Sequence, residues 1–157
     1  MLVRNFPCGW QEENERSGSG PYPISEPETR CLVDFFRAHP NICVVLSCGT
    51  VGGKILHPSL DNSRIKAAPG DQRLFAELAR RLEEITGYKS GPHPQGEGSF
   101  IQWCFESQGL VAFQPQLWCL GRAVGLEVAD SLAFVGERSE IDSLSVLRWL
   151  DREAPSV

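Results

Sequence analysis

Apolar residues recur along this chain at two spacings, and the two spacings alternate. Leu32, Phe35 and Phe36 lie at helical spacing behind Ser25-Glu26-Pro27-Glu28, a capping-box pattern with proline in the first turn. Ile42-Cys43-Val44-Val45-Leu46 is instead a short run without alternation, which predicts a strand buried on both faces. The first regular elements predicted are therefore a helix and an interior strand.

The same alternation continues to the end of the chain. Gly49–Gly53 predicts a flexible turn into a strand at Lys54–Leu56, and Leu110–Phe113 predicts a further strand. Helical spacing recurs in three later segments, which carry Leu74, Phe75, Leu78, Leu82 and Ile85, then Phe100, Trp103 and Cys104, then Leu144, Leu147 and Leu150. Helices alternating with buried strands predict a three-layer α/β fold whose function lies at the carboxyl ends of the strands.

Length and composition narrow the class of protein. The 157 residues, 41% of them hydrophobic, fit one globular domain with a real core. With 15 Lys and Arg against 20 Asp and Glu, the net charge is -5, and no basic cluster favours a nucleic acid or an anionic membrane. No apolar run is long enough to span a bilayer, and the first residues lack a signal-peptide core, so we expect a soluble, unexported, cytoplasmic protein.

The cysteines and histidines form no metal-site pattern. The six cysteines include no C-x-x-C pair, and in a chain of this size we expect them to be buried free thiols. The three histidines, His39, His57 and His93, are scattered and none opens an H-x-x-E or H-x-x-x-H pattern. The sequence therefore offers no self-contained zinc site.

Several ordered motifs carry a resemblance to a known family. Arg4-Asn5-Phe6-Pro7 and the segment Gly18–Thr29, which contains S-E-P-E-T, resemble the zinc carboxypeptidases, which carry N-R-N-F-P and then S-E-P-E-T. Further matches follow in the same order at Thr86–Tyr88, Gly98–Trp103 and Leu110–Trp118. The resemblance runs from about residue 2 to 118. We therefore interpret residues 1–157 as a single partial domain, with residues 119–157 as a C-terminal extension that holds the final helix.

The resemblance implies half of a zinc-carboxypeptidase domain, with a partial mixed sheet covered by helices. At the positions that match the family's catalytic residues, however, this chain carries different amino acids. The third zinc ligand of the family is a histidine, and the matching position here is Gly49. The general base of the family is a glutamate, and the matching position is Gln116. Glycine has no side-chain donor and an amide cannot take a proton from water. We therefore expect no bound zinc and no other cofactor, and assign no catalytic or metal-binding residue.

Two substrate-binding positions are retained in part. Of the family's Asn-Arg pair that binds a substrate's terminal carboxylate, the asparagine is Val3 here, while Arg4 is kept. Ile101 matches the position at the base of the family's specificity pocket. The resemblance thus implies peptide C-termini as the ligand class, with Arg4 and Ile101 as binding residues.

Three hypotheses for function follow. The first is a catalytically inactive carboxypeptidase-like protein with residual recognition of peptide C-termini. The second is half of an active metallocarboxypeptidase, completed by an N-terminal part that supplies the H-x-x-E ligands, although no such part would repair Gly49 and Gln116. The third is new chemistry that uses Cys48 as nucleophile with His57 as base. We favour the first.

The resemblance also predicts an open sheet edge. In the family the sheet continues into strands from the first half of the domain, so the strand at 42–46 should have an unpaired side. An unpaired edge is a template for pairing. We therefore expect a homo-oligomer, a partner chain that covers the edge, or a poorly soluble product.

Overall fold

The structure is a computed structural model that describes residues 4–15, 17–62, 64–93, 98–119, 123–125 and 140–153. Within these ranges it contains four helices, which are α1 (Pro27–Ala38), α2 (Pro69–Thr86), α3 (Phe100–Gln108) and α4 (Glu140–Glu153). It also contains five strands, which are β1 (Val44–Leu46), β2 (Gly49–Val51), β3 (Lys54–His57), β4 (Lys89–Pro92) and β5 (Val111–Trp118). No helix among the described residues is long and apolar enough to cross a membrane.

The strands form a mixed sheet in the order β1-β5-β3-β4, and β2 also pairs with β5. β1 and β5 are parallel, with Val44 opposite Val111 and Leu46 opposite Phe113. The α/β fold with a partial sheet and helical layers, predicted from the sequence, is confirmed. Among the described residues, β1 ends the sheet and pairs with β5 alone.

The residues group into two compact units, and the first consists of residues 1–47 and 55–114. Neighbouring residues on a strand point to opposite faces, so its sheet has two apolar sides. One side packs Val45, Leu56 and Ala112 against α1, α3 and the N-terminal residues Phe6 and Cys8. The other side carries a second cluster, formed by Ile55, Phe113, Phe75 and Ala79. The sheet of this unit therefore lies between two helical layers.

The second unit consists of residues 48–54 and 115–157. It contains β2, the second half of β5, and α4. The predicted final helix is confirmed, but its apolar positions are about half exposed, with Leu144, Leu147 and Leu150 at 51%, 56% and 43%. Helical spacing placed these leucines correctly on one face, whereas burial of that face requires a partner that the described residues do not provide.

The prediction that β1 is buried on both faces is wrong. Val45 is buried, but Val44 and Leu46 are 55% and 57% exposed. The reason is the position of β1 at the end of the sheet, where one face lacks a covering element among the described residues. An apolar run without alternation shows that a strand can be buried on both faces. Whether both faces are buried depends on the helices and loops that pack against them.

Other local predictions are corrected as well. Gly49–Val51 forms β2 and not a flexible turn, because it pairs with β5. Lys89–Pro92, for which no strand was predicted, forms β4. Of the six cysteines, all free, only Cys8, Cys104 and Cys119 are buried, whereas Cys31, Cys43 and Cys48 are exposed.

Candidate functional site

The two positions that the sequence resemblance aligns with the family's zinc ligand and general base lie side by side. Gly49 on β2 is the parallel cross-strand partner of Gln116 on β5. Backbone bonds hold this pairing, since Gly53 N donates to Gln116 O at 2.9 Å and Gly52 N donates to Trp118 O at 2.7 Å. A Cβ atom at Gly52 would collide with the side-chain amide of Gln116. The amide of Gln116 therefore lies directly against Gly52, the residue that follows β2.

The side chains at this pairing do not fit a zinc ion. Gly49 offers no side-chain donor atom, and Gln116 offers a neutral amide, which is not among the imidazole, thiolate and carboxylate ligands that zinc prefers. Among the described residues, no three His, Cys, Asp or Glu side chains come together as a metal-binding group. These residues therefore support no metal-dependent reaction step, and the absence of zinc from the protein stays a prediction.

Arg4 belongs to what we call the N-terminal segment, residues 4–15 and 17–25. Its guanidinium Nη1 donates to the carbonyl oxygen of Ser17 at 2.9 Å. The backbone beside it is fixed by Gly98, because a Cβ atom there would lie 2.6 Å from Arg4 O, and Gly98 has a left-handed φ of 67°. Phe6 N also donates to Gly98 O at 3.2 Å. Val3, the other position of this pair, lies outside the described residues.

Asn5 holds the N-terminal segment together from within. Its side chain is fully buried, and Nδ2 donates to Ser19 O, to Tyr22 O at 2.9 Å and to Ser25 Oγ at 3.0 Å. Its Oδ1 accepts from the backbone N of Glu26 at 3.1 Å. Glu26 is the N-cap residue of α1. The predicted capping box is therefore wrong, since Asn5 satisfies the N–H of this helix start from a distant part of the chain.

Sequence reasoning did not single out Asn5, because its importance depends on residues 14 to 21 positions away. The only available signal was its place inside the Arg4–Pro7 motif. Gln102 was missed in the same way. It is fully buried, accepts from Ser59 N at 2.8 Å and donates to Glu106 Oε1 at 2.7 Å. Both residues are buried amides with at least one hydrogen-bond partner far away in the sequence.

The carboxylate of Glu13 holds the turn at Gly18 and Gly20 in the N-terminal segment. Glu13 Oε1 accepts from Gly18 N at 2.8 Å, and Oε2 accepts from Gly20 N at 2.7 Å. These hydrogen bonds, first that from Gly18 and then that from Gly20, hold the pKa of Glu13 below its ordinary value. The indole of Trp10 donates to Ser19 O at 2.9 Å in the same turn. The turn that faces Arg4 is therefore tied by side chains at several points.

Ile101 lies in the core of the first unit, 1% exposed, in one cluster with Phe6, Trp103 and Cys104. A cavity of about 280 Å³ in the same unit lies near the start of α2, where its lining includes Ala68, Asp71 and Leu74 but neither Arg4 nor Ile101. The role of Ile101 in a specificity pocket stays a prediction.

The alternative pair, Cys48 and His57, shows no link in its described contacts. Cys48 is exposed between β1 and β2. His57 is half-buried, and its Nδ1 donates to the carbonyl oxygen of Pro58 at 2.8 Å. The two residues also fall in different compact units. Nothing in these contacts orients the imidazole toward a thiol.

Comparison with solved structures identifies the fold. A crystal structure of thrombin-activatable fibrinolysis inhibitor matches 99% of this chain and 42% of its own, with 19% identity and a TM-score of 0.59. The bovine thrombin-activatable fibrinolysis inhibitor, solved with a tick carboxypeptidase inhibitor, matches 98% of this chain and 56% of its own, with 18% identity and a TM-score of 0.53. The chain thus spans about half the length of these similar proteins, and identities this low establish the fold alone.

The sequence comparisons give the family. No curated protein sequence matches the chain. The family model described as zinc carboxypeptidase matches residues 2–146, which is most of the 157 residues and extends past Trp118 into α4. Together with the shared fold, this match shows that the chain belongs to the zinc carboxypeptidase family.

Proposed function

We propose that this chain is a non-catalytic member of its family that recognises the free C-termini of peptides. The observation that carries the first half of the proposal is the pairing of Gly49 with Gln116. The strands meet in register at these matched positions, but the pair holds neither an imidazole nor a carboxylate. A missing general base alone costs about a hundredfold to ten-thousandfold in rate.

The retained arginine supports the second half. A guanidinium binds a carboxylate through two parallel hydrogen bonds and keeps its charge at all physiological pH values. Arg4 is anchored through Ser17 O, and its backbone is fixed by Gly98, so its position is defined by described contacts. Because Val3 replaces the family's second carboxylate contact, we expect weak binding, with a Kd of about 1 mM, or about 4 kcal/mol.

Metal content and peptide hydrolysis test the loss of catalysis. We expect purified protein, dialysed against a mild chelator, to hold no stoichiometric zinc by elemental analysis. We also expect no release of C-terminal residues from peptides when zinc is added back. One tightly held zinc per chain, or chelator-sensitive release of a terminal amino acid, would contradict the proposal and favour the half-enzyme hypothesis.

Calorimetry tests recognition. A short peptide with a free C-terminus, its amidated twin and an Arg4→Ala variant form a complete set. We expect the parent protein to bind the free peptide more tightly than the amidated one, and Arg4→Ala to lose this difference. Equal binding of both peptides by the parent would show that Arg4 is structural.

The open edge of β1 favours an assembly role beside recognition. Val111 N donates to Cys43 O and Ser47 N donates to Phe113 O, so residues 43 and 47 face β5. By the alternation of a strand, the backbone groups of Val44 and Leu46 point away from β5. Their side chains are exposed as well. We propose that a second copy or a partner chain covers this edge, with a self-paired dimer as the first state to look for.

A further inference from the structure

One peptide group of the N-terminal segment is held from both sides by opposite charges. The carbonyl oxygen of Ser17 accepts from Arg4 Nη1 at 2.9 Å. The N–H of Gly18 belongs to the same peptide group and donates to Glu13 Oε1 at 2.8 Å. Arg4 and Glu13 are therefore linked through a single peptide group, with the cation at its oxygen and the anion at its nitrogen.

The backbone is shaped so that this link can form. Gly18 and Gly20 have left-handed φ values of 84° and 74°, which glycine adopts without steric cost. A Cβ atom at Gly20 would lie 2.8 Å from Asn5 Nδ2, so the turn also depends on close packing against the buried amide. As a result, both oxygens of Glu13 are engaged by backbone N–H groups.

The charge of Glu13 acts on the hydrogen bond of Arg4 through this peptide group. A carboxylate at the N–H of a peptide group increases the negative charge on its carbonyl oxygen and so strengthens a hydrogen bond accepted there from a cation. The guanidinium presents its N–H donors in a fixed planar fork, and Nη1 donates to Ser17 O. Restricting a long side chain before a ligand arrives reduces the entropy lost on binding.

We propose that Glu13 is a positioning residue, which fixes the guanidinium of Arg4 through the Ser17–Gly18 peptide group so that it is oriented for a carboxylate ligand. The inference rests on the proposed recognition of peptide C-termini. Glu13 does not contact the ligand. Its contribution is the restricted orientation of Arg4.

A Glu13→Gln variant tests the link directly. Glutamine keeps the size and one acceptor oxygen but loses the charge and one of the two bonds, while Glu12→Gln makes the same charge change at an exposed neighbour. The readout is the Nε–Hε signal of Arg4 in ¹⁵N NMR, assigned by its disappearance in Arg4→Lys. We expect this signal to move in Glu13→Gln and to stay in place in Glu12→Gln, and the Gly18 amide to exchange faster in Glu13→Gln alone. An Arg4 signal that is the same in parent and Glu13→Gln would overturn the proposal.

The binding measurement separates this inference from the proposed function. We expect the ratio of the two Kd values, amidated peptide over free peptide, to fall by about threefold in Glu13→Gln and to stay constant in Glu12→Gln. If the parent does not distinguish the two peptides, the proposed recognition fails, and with it the ligand-orienting role of Glu13. If the parent distinguishes them and Glu13→Gln keeps the full ratio, recognition stands and the positioning role of Glu13 is refuted.

Discussion

The two regions that match the family's functional positions are held in different ways. In the N-terminal segment, the positions of Arg4 and its neighbours depend on side chains, above all the buried amide of Asn5 and the carboxylate of Glu13. At the pairing of Gly49 with Gln116, the described bonds run between backbone groups of β2, β5 and the glycines that follow β2.

This difference concerns the proposed loss of catalysis. A backbone ladder forms with nearly any side chain, so a ligand histidine or a catalytic glutamate can be replaced without disturbing the strands. A network of buried side chains depends on the identity of each member, because each deletion leaves unsatisfied polar groups behind. Arg4 therefore lies in the segment that side chains hold, whereas Gly49 and Gln116 lie where backbone bonds hold the strands.

Of the substitutions that test this difference, Asn5→Ala should have the largest effect, on the stability of the protein. Removing the amide leaves the part-buried N–H of Glu26 without its described acceptor, whereas Ser19 O keeps its bond from Trp10 Nε1 and Tyr22 O keeps its bond from Ser25 N. We expect a loss of about 3 kcal/mol in the free energy of unfolding, measured by urea denaturation. Asn41→Ala, at an exposed asparagine, is the control and should change stability by less than about 0.5 kcal/mol. Equal effects would show that the buried network is not what stabilises this segment.

A charge on β1 should have the next largest effect, now on assembly. If the open edge pairs with a second copy, Leu46→Lys should weaken the dimer by about tenfold in analytical ultracentrifugation, because lysine on an edge strand opposes pairing. Leu74→Lys, on the exposed part of α2, should leave the dimer unchanged. A parent protein that stays monomeric across micromolar concentrations would show that the edge of β1 does not pair with itself.

Substitutions at Thr29 test, with a smaller expected effect, how far the stability of the protein depends on a single buried side chain. It is fully buried in α1, and its hydroxyl has no hydrogen-bond partner among the described residues. Replacing an unsatisfied hydroxyl by a methyl group of similar shape removes a desolvation cost, so we expect Thr29→Val to stabilise the protein by about 1 kcal/mol in thermal unfolding. Thr29→Ser keeps the hydroxyl, loses a methyl group and should destabilise. Destabilisation by Thr29→Val would indicate that the hydroxyl is satisfied by water.

Gln116→Glu should have the smallest effect. Because the strand is held by backbone bonds, we expect the free energy of unfolding to change by no more than about 0.5 kcal/mol. Hydrolysis of peptides should stay undetectable, since the restored carboxylate would have no metal-bound water to activate. Gln114→Glu, two residues earlier on β5, is the matched control. Activity that appears in Gln116→Glu alone, and is lost with a chelator, would refute the non-catalytic assignment.

Local sequence predicted most of the helices and the kind of fold, because hydrophobic spacing acts within a few turns. The spacing of Leu78 and Leu82 with the closing Gly87 matches α2, which ends at a glycine with φ of 69°. Ser99 caps α3 by accepting from Gln102 N, as a short polar residue at a helix start does. The family was also readable, because the motifs around Arg4 and Gly98 occur in order along one chain.

Tertiary structure decided what the amino-acid sequence by itself could not. The sequence determined that positions 49 and 116 hold a glycine and a glutamine, whereas only the pairing of β2 with β5 brings the two positions together across 67 residues of chain. It determined that β1 is apolar, whereas the order of strands decided that this strand ends the sheet and leaves Leu46 exposed. Side-chain identity and helical period are local properties. Coverage of a strand and the partners of a buried amide depend on distant segments, which the chain specifies only when it folds.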